Sequence, residues 1–288
     1  MSTSTLNGRR ILISGSSRGI GRAIALRAAR EGARIVIAAK TSEPHPKLPG
    51  TIHSVAEEVR EAGGEALPVV MDIRDDDQVE AAVAAGVEAF GGLDAVINNA
   101  SAISLSPVSM TAMKRVDLMF DVNVRGTYTL TRAALEALRA GTSPHVLNLS
   151  PPLSLDPIWF QHHTAYTISK YGMSLCVLGM AREFKSLGIA VNALWPRTAI
   201  ATAALAMIPG ADPKSCRKPE IVADAACAIL ARDPATCSGN FFIDDEVLKA
   251  EGVEDFDGYA VEPGRPLMPD LFLEGSESFF ERMARPSS

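Results

Sequence analysis

A tyrosine and a lysine four residues apart are the side chains of this sequence best suited to acid–base chemistry. They are Tyr166 and Lys170, in the string YTISK. Positions i and i+4 share one face of a helix, so the phenol and the ammonium can enter the same pocket. A positive charge beside the phenol lowers its pKa from about 10, which would let it exchange a proton near neutral pH. Because such pairs also occur by chance, the meaning of this one depends on the elements around it.

The composition is that of an ordinary globular protein. The chain has 288 residues, 47% hydrophobic and 22% charged, with a net charge of -6. This acidic balance disfavours nucleic acid and anionic membranes as partners. The four cysteines lack metal-ligand spacing, no apolar run is long enough to span a bilayer, and the first residues lack an apolar signal segment. We therefore expect no metal, no membrane span and a cytoplasmic location.

Apolar runs alternate with stretches of helical periodicity along the chain. Strands are predicted at 10–14, 34–39, 66–71, 93–98, 145–149, 189–194 and 240–243. Helices are predicted at 20–30, 52–61, 76–90, 118–139, 165–187 and 221–231. Nearly continuous apolar strands that alternate with helices indicate a parallel sheet covered on both faces, hence an α/β, doubly wound, Rossmann-like fold. Since no linker is visible, we predict a single domain; the periodicity assigns nothing after Asp244.

A glycine-rich turn, SGSSRGIG at 14–21, follows the first strand. Gly15 permits a tight turn, Gly19 lets the backbone approach a pyrophosphate, and Gly21 lets the helix pack against the strand. N–H groups at the start of the helix would then face phosphate oxygens. The strand–turn–helix context favours dinucleotide binding over a simple tight turn.

The end of the second strand indicates which dinucleotide binds. NAD sites usually carry an acid there for the ribose 2′-hydroxyl, but this chain reads AAKTS at 38–42. Lys40 would attract a 2′-phosphate, and Arg18 in the glycine turn is expected near the same group. The sequence therefore predicts NADP, with NAD less favoured.

The glycine turn, NNA at 98–100 and the Tyr-x-x-x-Lys pair, in this order, resemble the classical short-chain dehydrogenase/reductase family from about residue 8 to 243. Longer strings, such as AAKTSEPHPKLPGTI at 38–52 and NLSPPLSLDPIWF at 148–160, are most similar to the hydroxysteroid dehydrogenase-like protein 2 subgroup. Larger members continue into a sterol-carrier domain, which we expect this chain to lack. The resemblance implies a reductase domain at 8–243 and an extension at 244–288 packed on it.

The resemblance also implies roles for individual residues. Tyr166 is the implied acid/base, Lys170 binds the nicotinamide ribose, Asn123 orders a water that connects Lys170 to solvent, and Asp72 hydrogen-bonds the adenine. With Lys40 from the argument above, the expected cofactor contacts are Gly15, Ser17, Arg18, Gly19, Ile20, Gly21, Lys40, Asp72, Asn99, Ala100, Tyr166, Lys170, Pro196 and Thr198.

The family's third catalytic group, a serine that hydrogen-bonds the substrate oxygen, is displaced. Thirteen residues before the tyrosine, where this serine normally lies, the chain has Leu153. Ser150 and Ser154 are the available hydroxyls. We favour Ser150, because it ends a strand and points toward the crevice where such folds bind ligands, although it could simply end the strand.

Two glycines of the family pattern are replaced. Ser101 follows the NNA string, and Pro196 is followed by Arg197. The Arg197 side chain could contact the cofactor or shape the lid over the site; the sequence leaves both open. His162 and His163, beside the tyrosine, are expected to be solvated.

These residues predict an NADP-dependent oxidoreductase that transfers a hydride between the nicotinamide and a carbonyl or alcohol, with Tyr166 as acid/base. Apolar residues at 158–160 and 200–208 suggest a lipophilic substrate, unless they pack on the protein body. The alternatives are a non-catalytic NADP-binding sensor or scaffold and, more weakly, a dehydratase on the same fold. The family commonly pairs through its two long helices, so a homodimer or homotetramer is expected.

Overall fold

Strands and helices alternate from the first strand onward in the computed structural model, which describes residues 6–46, 48–207, 211–274 and 276–277. The strands are β1 (Arg10–Ser14), β2 (Arg34–Ala39), β3 (Glu65–Val70), β4 (Ala95–Asn98), β5 (His145–Asn148), β6 (Ala190–Trp195) and β7 (Phe241–Ile243). The α-helices are α1 (Gly19–Ala29), α2 (Ile52–Glu61), α3 (Asp76–Phe90), α4 (Met113–Met119), α5 (Gly126–Arg139), α6 (Thr164–Glu183), α7 (Glu220–Leu230) and α8 (Asp244–Ala250).

The seven strands form one sheet in the order β3-β2-β1-β4-β5-β6-β7, and every neighbouring pair is parallel. The strand order reverses direction between β1 and β4. In such sheets ligands bind in the crevice at the carboxyl ends of the strands beside this switch point. The predicted doubly wound, Rossmann-like single domain is confirmed.

The core has one layer on each face of the sheet. Apolar side chains of α1, α2, α7 and α8 pack on one face, for example Ile24, Val55 and Ile221. Side chains of α3, α5 and α6 pack on the other, for example Val79 and Leu130. Both faces of the strands are therefore buried, which explains why their sequences are nearly continuous in apolar residues.

The first predicted long helix differs from the expectation of residues 118–139. It begins earlier, with α4 at Met113, and a π-helical segment, Phe120–Arg125, separates α4 from α5. Hydrophobic periodicity cannot reveal one widened turn, because the apolar residues on either side still face the core. Such segments are frequent at functional sites, and this one contains Asn123.

The chain after β7 returns along the body of the protein. Helix α8 packs against α7, and Ala260 pairs with Arg217. Farther on, Pro269 pairs with Thr198, just after β6. None of the helices formed by the described residues combines the length and the apolar character that crossing a bilayer requires.

Candidate active site

The glycine turn after β1 is bonded to the end of β4. The Ser14 hydroxyl accepts hydrogen bonds from Asn99 N and Ala100 N, both at 3.1 Å. Asn99 Nδ2 donates back to Ser14 O at 2.9 Å and to Gly15 O at 3.1 Å. A Cβ at Gly15 would lie 2.9 Å from Ala100 Cα, and its φ of 66° favours glycine. The sequence motifs at 14–21 and 98–100 are thus parts of one site.

The N-terminus of α1 has the features expected of a phosphate cradle. Among the residues that the structure describes, no side chain caps it, and no acid lies in its first turn. Its N–H groups are therefore free to meet an anion, beside buried Ser17 and with Ile20 in the first turn. The Arg18 guanidinium donates instead to the carbonyls of Pro49 and Gly50, so its contact with a phosphate stays a prediction.

Charged residues gather at the ends of β2 and β3. Lys40 is exposed, and its charge acts on Asp72. Arg74 engages both carboxylate oxygens of Asp72, with Nη2 at 2.5 Å and Nε at 2.9 Å. This ion pair is the largest cause of the lowered pKa of Asp72. The carboxylate predicted to bind adenine is therefore already paired. Arg74 was not among the predicted site residues, although its position two residues after Asp72 places it within reach of that carboxylate.

Asn123 uses its side chain to hold the loop after β4. Its Oδ1 accepts from Ala102 N at 2.7 Å, and its Nδ2 donates to Ala102 O at 3.0 Å and to Ser169 Oγ at 2.9 Å. The side chain is fully buried. The side-chain amide of Asn123 thus bonds to Ala102 and Ser169, and neither within its own helix nor to Lys170. A water that connects Lys170 to solvent would therefore have to be held by another group of Asn123. The water relay stays a prediction.

Tyr166 and Lys170 both lie on the inner face of α6, 5% and 2% exposed. Lys170 Nζ donates to Leu149 O at 2.6 Å, directly after β5, and lies 5.0 Å from the centre of the Trp195 ring. The sequence spacing thus brings the pair to the carboxyl ends of β5 and β6, beside the switch-point crevice.

Burial controls the ionisation of this pair. It lowers the pKa of Lys170 to about 7, an effect that the charge of Asp270 partly opposes. It also raises the pKa of Tyr166, and Asp270 raises it further. This is the opposite of the lowered phenol pKa expected from the sequence, because desolvation outweighs any attraction to the lysine. Burial likewise raises the pKa of Asp270, to about 7.

Two hydroxyls among the predicted site residues lie buried at the same strand ends. Ser150 is fully buried after β5, and Thr198 is 6% exposed after β6. Within the described residues, neither hydroxyl oxygen has a hydrogen-bond partner. The alternative serine, Ser154, instead accepts a hydrogen bond from Asp156 N at 3.2 Å. A buried hydroxyl without a partner is costly, so the two free ones are suited to a bound molecule.

Arg197 is bonded to the start of α8. Its Nε lies 3.1 Å from Asp245 Oδ1, its Nη2 pairs with Glu246, and its main-chain N donates to Asp244 Oδ1. Of the two roles left open by the sequence, contact with the cofactor or shaping of the lid, these bonds favour the second, because they hold the segment after β6, which starts at buried Pro196.

Aromatic side chains surround the tyrosine. Trp159 is buried, and Ile158 and Phe160 pack in the same cluster as Tyr166. His163 was expected to be solvated, and that was wrong: it is 8% exposed, packs on the Tyr166 ring at 6.3 Å, and burial lowers its pKa to about 4. The cluster also includes Phe272, which sequence reasoning missed because no motif marks it.

The second predicted apolar group, at 200–208, lies elsewhere. Ile200 belongs to the core under α1 and α7, and Leu205 packs with Cys216 and Met268. These two side chains therefore pack on the protein body. Ile208 lies outside the described residues, and so does the side chain of Met207.

The residues present fit a dinucleotide. The open helix N-terminus, the crowded glycines and the two free hydroxyls lie along the crevice beside the switch point. For the part of the chain that is described, no group of three or more His, Cys, Asp or Glu side chains could hold a metal ion.

The sheet order and the glycine turn define a Rossmann-like protein. A family profile described as short chain dehydrogenase matches residues 9–209. The chain therefore belongs to the short-chain dehydrogenase family, which supports an oxidoreductase that uses a nicotinamide cofactor.

Curated relatives and solved structures agree with this assignment. The chain is 58% identical, over 95% of its length, to hydroxysteroid dehydrogenase-like protein 2 of Danio rerio, of which it spans 66%, less than two thirds. A crystal structure from Xanthomonas campestris, described as that of a dehydrogenase, has 57% identity and a TM-score of 0.92, covering 94% of this chain and 99% of the other. A metagenomic short-chain oxidoreductase in complex with NADP has 26% identity and a TM-score of 0.69, covering 84% and 98%. The predicted family and subgroup resemblance is confirmed.

The contact between the turn and the end of β4 can be tested with Gly21→Ala. A Cβ there would lie 2.5 Å from Asn99 Nδ2 and 2.8 Å from Gly15 O. The backbone must shift, so we expect a loss of about 1–3 kcal/mol in the free energy of unfolding, measured by denaturant titration. Gly258→Ala is the control, because nothing lies within 4 Å of its Cβ position. Equal stability of the two variants would contradict the close approach.

Proposed function

We propose that this protein is an NADP-dependent oxidoreductase acting on a lipophilic carbonyl or alcohol. The observation that carries the proposal is that Lys170 and the Ser150 hydroxyl, which has no partner among the described residues, lie at the carboxyl end of β5, with buried Tyr166 one helical turn before Lys170. The glycine turn lies across the same crevice. These are the parts that a hydride-transfer site needs: a proton donor, a cation and a hydroxyl that can orient an oxygen.

In the proposed reaction the nicotinamide supplies a hydride to the carbonyl carbon, or accepts one from the alcohol. Tyr166 gives the proton to the carbonyl oxygen in reduction and takes it back in oxidation. Ser150 donates a hydrogen bond to the same oxygen. Lys170 holds the nicotinamide ribose with Nζ–H groups not used by Leu149 O.

The ionisation of Tyr166 is consistent with this role in the reducing direction. Its raised pKa keeps the phenol protonated at neutral pH, which is the form that donates a proton. Oxidation requires the phenolate, which burial disfavours. A positive charge near the phenol, from Lys170 or from an oxidised nicotinamide ring, would offset that cost.

Tyr166→Phe tests the acid/base role. We expect turnover to fall by roughly 10²–10⁴-fold, because the proton donor is lost while the ring contacts remain. NADPH binding, followed by fluorescence, should persist. Tyr259→Phe is the control, since its hydroxyl bonds to Asp224, 2.6 Å away and outside the site. If Tyr166→Phe keeps most of its rate, the assignment is wrong.

The alternative is an NADP-binding sensor or scaffold without turnover. The displaced serine favours it. A protein that only binds the cofactor would not need a buried lysine and a buried tyrosine, whose burial penalises their charged forms. Tight NADPH binding with no turnover of aldehydes, ketones or 3-oxoacyl thioesters would favour the sensor.

The preference for NADP rests on Lys40. It is exposed at the end of β2, with no acid in the AAKTS string around it. Arg74 adds a second cation beside Asp72. The metagenomic relative in complex with NADP is consistent with this choice.

Lys40→Ala should raise the KM for NADPH by roughly 10–100-fold, because a charge-assisted hydrogen bond to the 2′-phosphate is lost. The KM for NADH should hardly change. Lys185→Ala, another exposed lysine, provides the control. Initial rates with both cofactors give the comparison, and equal effects on NADH and NADPH would contradict the phosphate contact.

A lipophilic substrate is supported by the apolar surroundings of Tyr166. Ile158 and Phe160 from the loop after β5, and Ile103 and Leu105 from the loop after β4, pack around its cluster. A polar substrate would leave its own groups unpaired against these side chains.

We also propose a homodimer or homotetramer formed through α5 and α6. Large apolar side chains stand exposed on these helices: Tyr128 (56%), Ile168 (45%), Leu175 (56%) and Leu178 (46%). Such a concentration on neighbouring helices is typical of a surface that a second copy covers.

Light scattering tests the oligomer. We expect a mass of at least twice 30.5 kDa for the natural chain. The double variant Leu175→Glu, Leu178→Glu should lower it, because an unpaired charge in a buried interface is costly. The matched pair Val108→Glu, Met110→Glu, exposed in the short 3₁₀ helix before α4 rather than on α5 or α6, should leave the mass unchanged. A mass near 30.5 kDa for the natural chain would rule out the proposal.

Two further expectations stay proposals. We propose that residues 8–243 form the reductase domain and that 244–288 are an extension packed on it; the contacts of α8 with α7 and of Pro269 with Thr198 support this. The cytoplasmic location rests on composition alone.

A further inference from the structure

The segment 268–273, here called the closing segment, is bonded to the end of β6 and the residues that follow it. Trp195 Nε1 donates a hydrogen bond to Leu271 O at 2.9 Å. Asp270 N donates to Arg197 O at 3.1 Å. The closing segment is thus held at the same strand end as the proposed catalytic pair.

Phe272 of this segment lies against Tyr166, with ring centres 6.2 Å apart and planes inclined by 34°. Its ring is 2% exposed. Its other ring neighbours are Tyr171 at 5.4 Å, Trp159 and Trp195 at 5.9 Å each, and His163 at 6.2 Å. Phe272 therefore fills the space between the tyrosine, the loop after β5 and the end of β6.

The backbone at Phe272 is strained to place this ring. Among the described residues, Phe272 is the one non-glycine residue with a positive φ, 72°. For a bulky side chain this conformation carries a steric cost. The contacts of the ring must outweigh that cost.

We propose that Phe272 is a specificity-determining residue, whose ring forms a wall beside the Tyr166 phenol and sets the size of the group that a carbonyl substrate can carry there. This rests on the proposed function, since it takes Tyr166 as the proton donor. A carbonyl oxygen that reaches the phenol must bring its substituents past the rings beside Tyr166. Phe272 contacts the Tyr166 ring and also links it to the rings of the loop after β5 and the end of β6.

Phe272→Leu tests this with two ketones that differ in one substituent, acetophenone (methyl) and benzophenone (phenyl). Removing the ring makes room, so the ratio of kcat/KM for benzophenone over acetophenone should rise roughly ten-fold or more. Phe184→Leu is the matched control: Phe184 is also buried, 4% exposed, but in the core under α6. It should lose stability without changing the ratio. An unchanged ratio in folded Phe272→Leu overturns the proposal.

A binding measurement separates this proposal from the proposed function. The chain has two tryptophans, Trp159 and Trp195, and both are ring neighbours of Phe272. Titrating each ketone into the NADP-loaded protein and following tryptophan fluorescence gives a Kd without turnover. If Phe272→Leu binds benzophenone more tightly relative to acetophenone than the natural chain does, the result supports the Phe272 wall even if neither ketone is reduced. A lack of reduction would then count only against the proposed oxidoreductase function. If the Kd ratio does not move, or neither protein binds either ketone, the wall is rejected. Phe272→Met replaces Phe272→Leu if the latter does not fold.

Discussion

A buried chain of amide hydrogen bonds fixes the site. Asn98 of β4 and Asn148 of β5 are paired across the parallel sheet, and Asn98 Nδ2 donates to Asn148 Oδ1 at 2.8 Å. Asn148 Nδ2 in turn donates to Met173 O of α6 at 3.1 Å. Buried amides are costly unless paired, so this chain holds α6 in one register against the strand ends. Only in that register does Lys170, three residues before Met173, reach Leu149 O at the end of β5.

Because Tyr166 and Lys170 are buried, their protonation states depend on the groups around them. Burial disfavours the ammonium of Lys170 and the phenolate of Tyr166 alike, so the pair alone does not create an activated acid. Asp270 favours the lysine's charge and disfavours the phenolate. The sequence motif therefore specifies the position of the two groups, whereas their protonation depends on the closing segment and on whatever binds beside them.

The sequence predicts the features that depend on residues close together in the chain. Continuous apolar strands indicate the parallel sheet. The glycine turn and the i, i+4 pair are also visible in the sequence, and the structure has the first bonded to the end of β4 and Lys170 bonded to the residue after β5. The π-helical segment around Asn123 was missed, since one widened turn does not disturb the apolar pattern. Phe272 was missed for another reason: its contact with Tyr166 joins distant parts of the chain, and no local spacing records it. Periodicity also could not tell that Ile200 packs in the core rather than beside the substrate.

The family profile ends at residue 209, but the physical unit does not. Helix α7 shares a core with α1, and β7 completes the sheet by pairing with β6. The closing segment then buries the proposed acid under Phe272. Arg197 also ties the start of the segment after β6 to α8 through its ion pairs with Asp245 and Glu246. Residues beyond the family match thus shape the surroundings of Tyr166, so these surroundings can change while the i, i+4 pair stays the same.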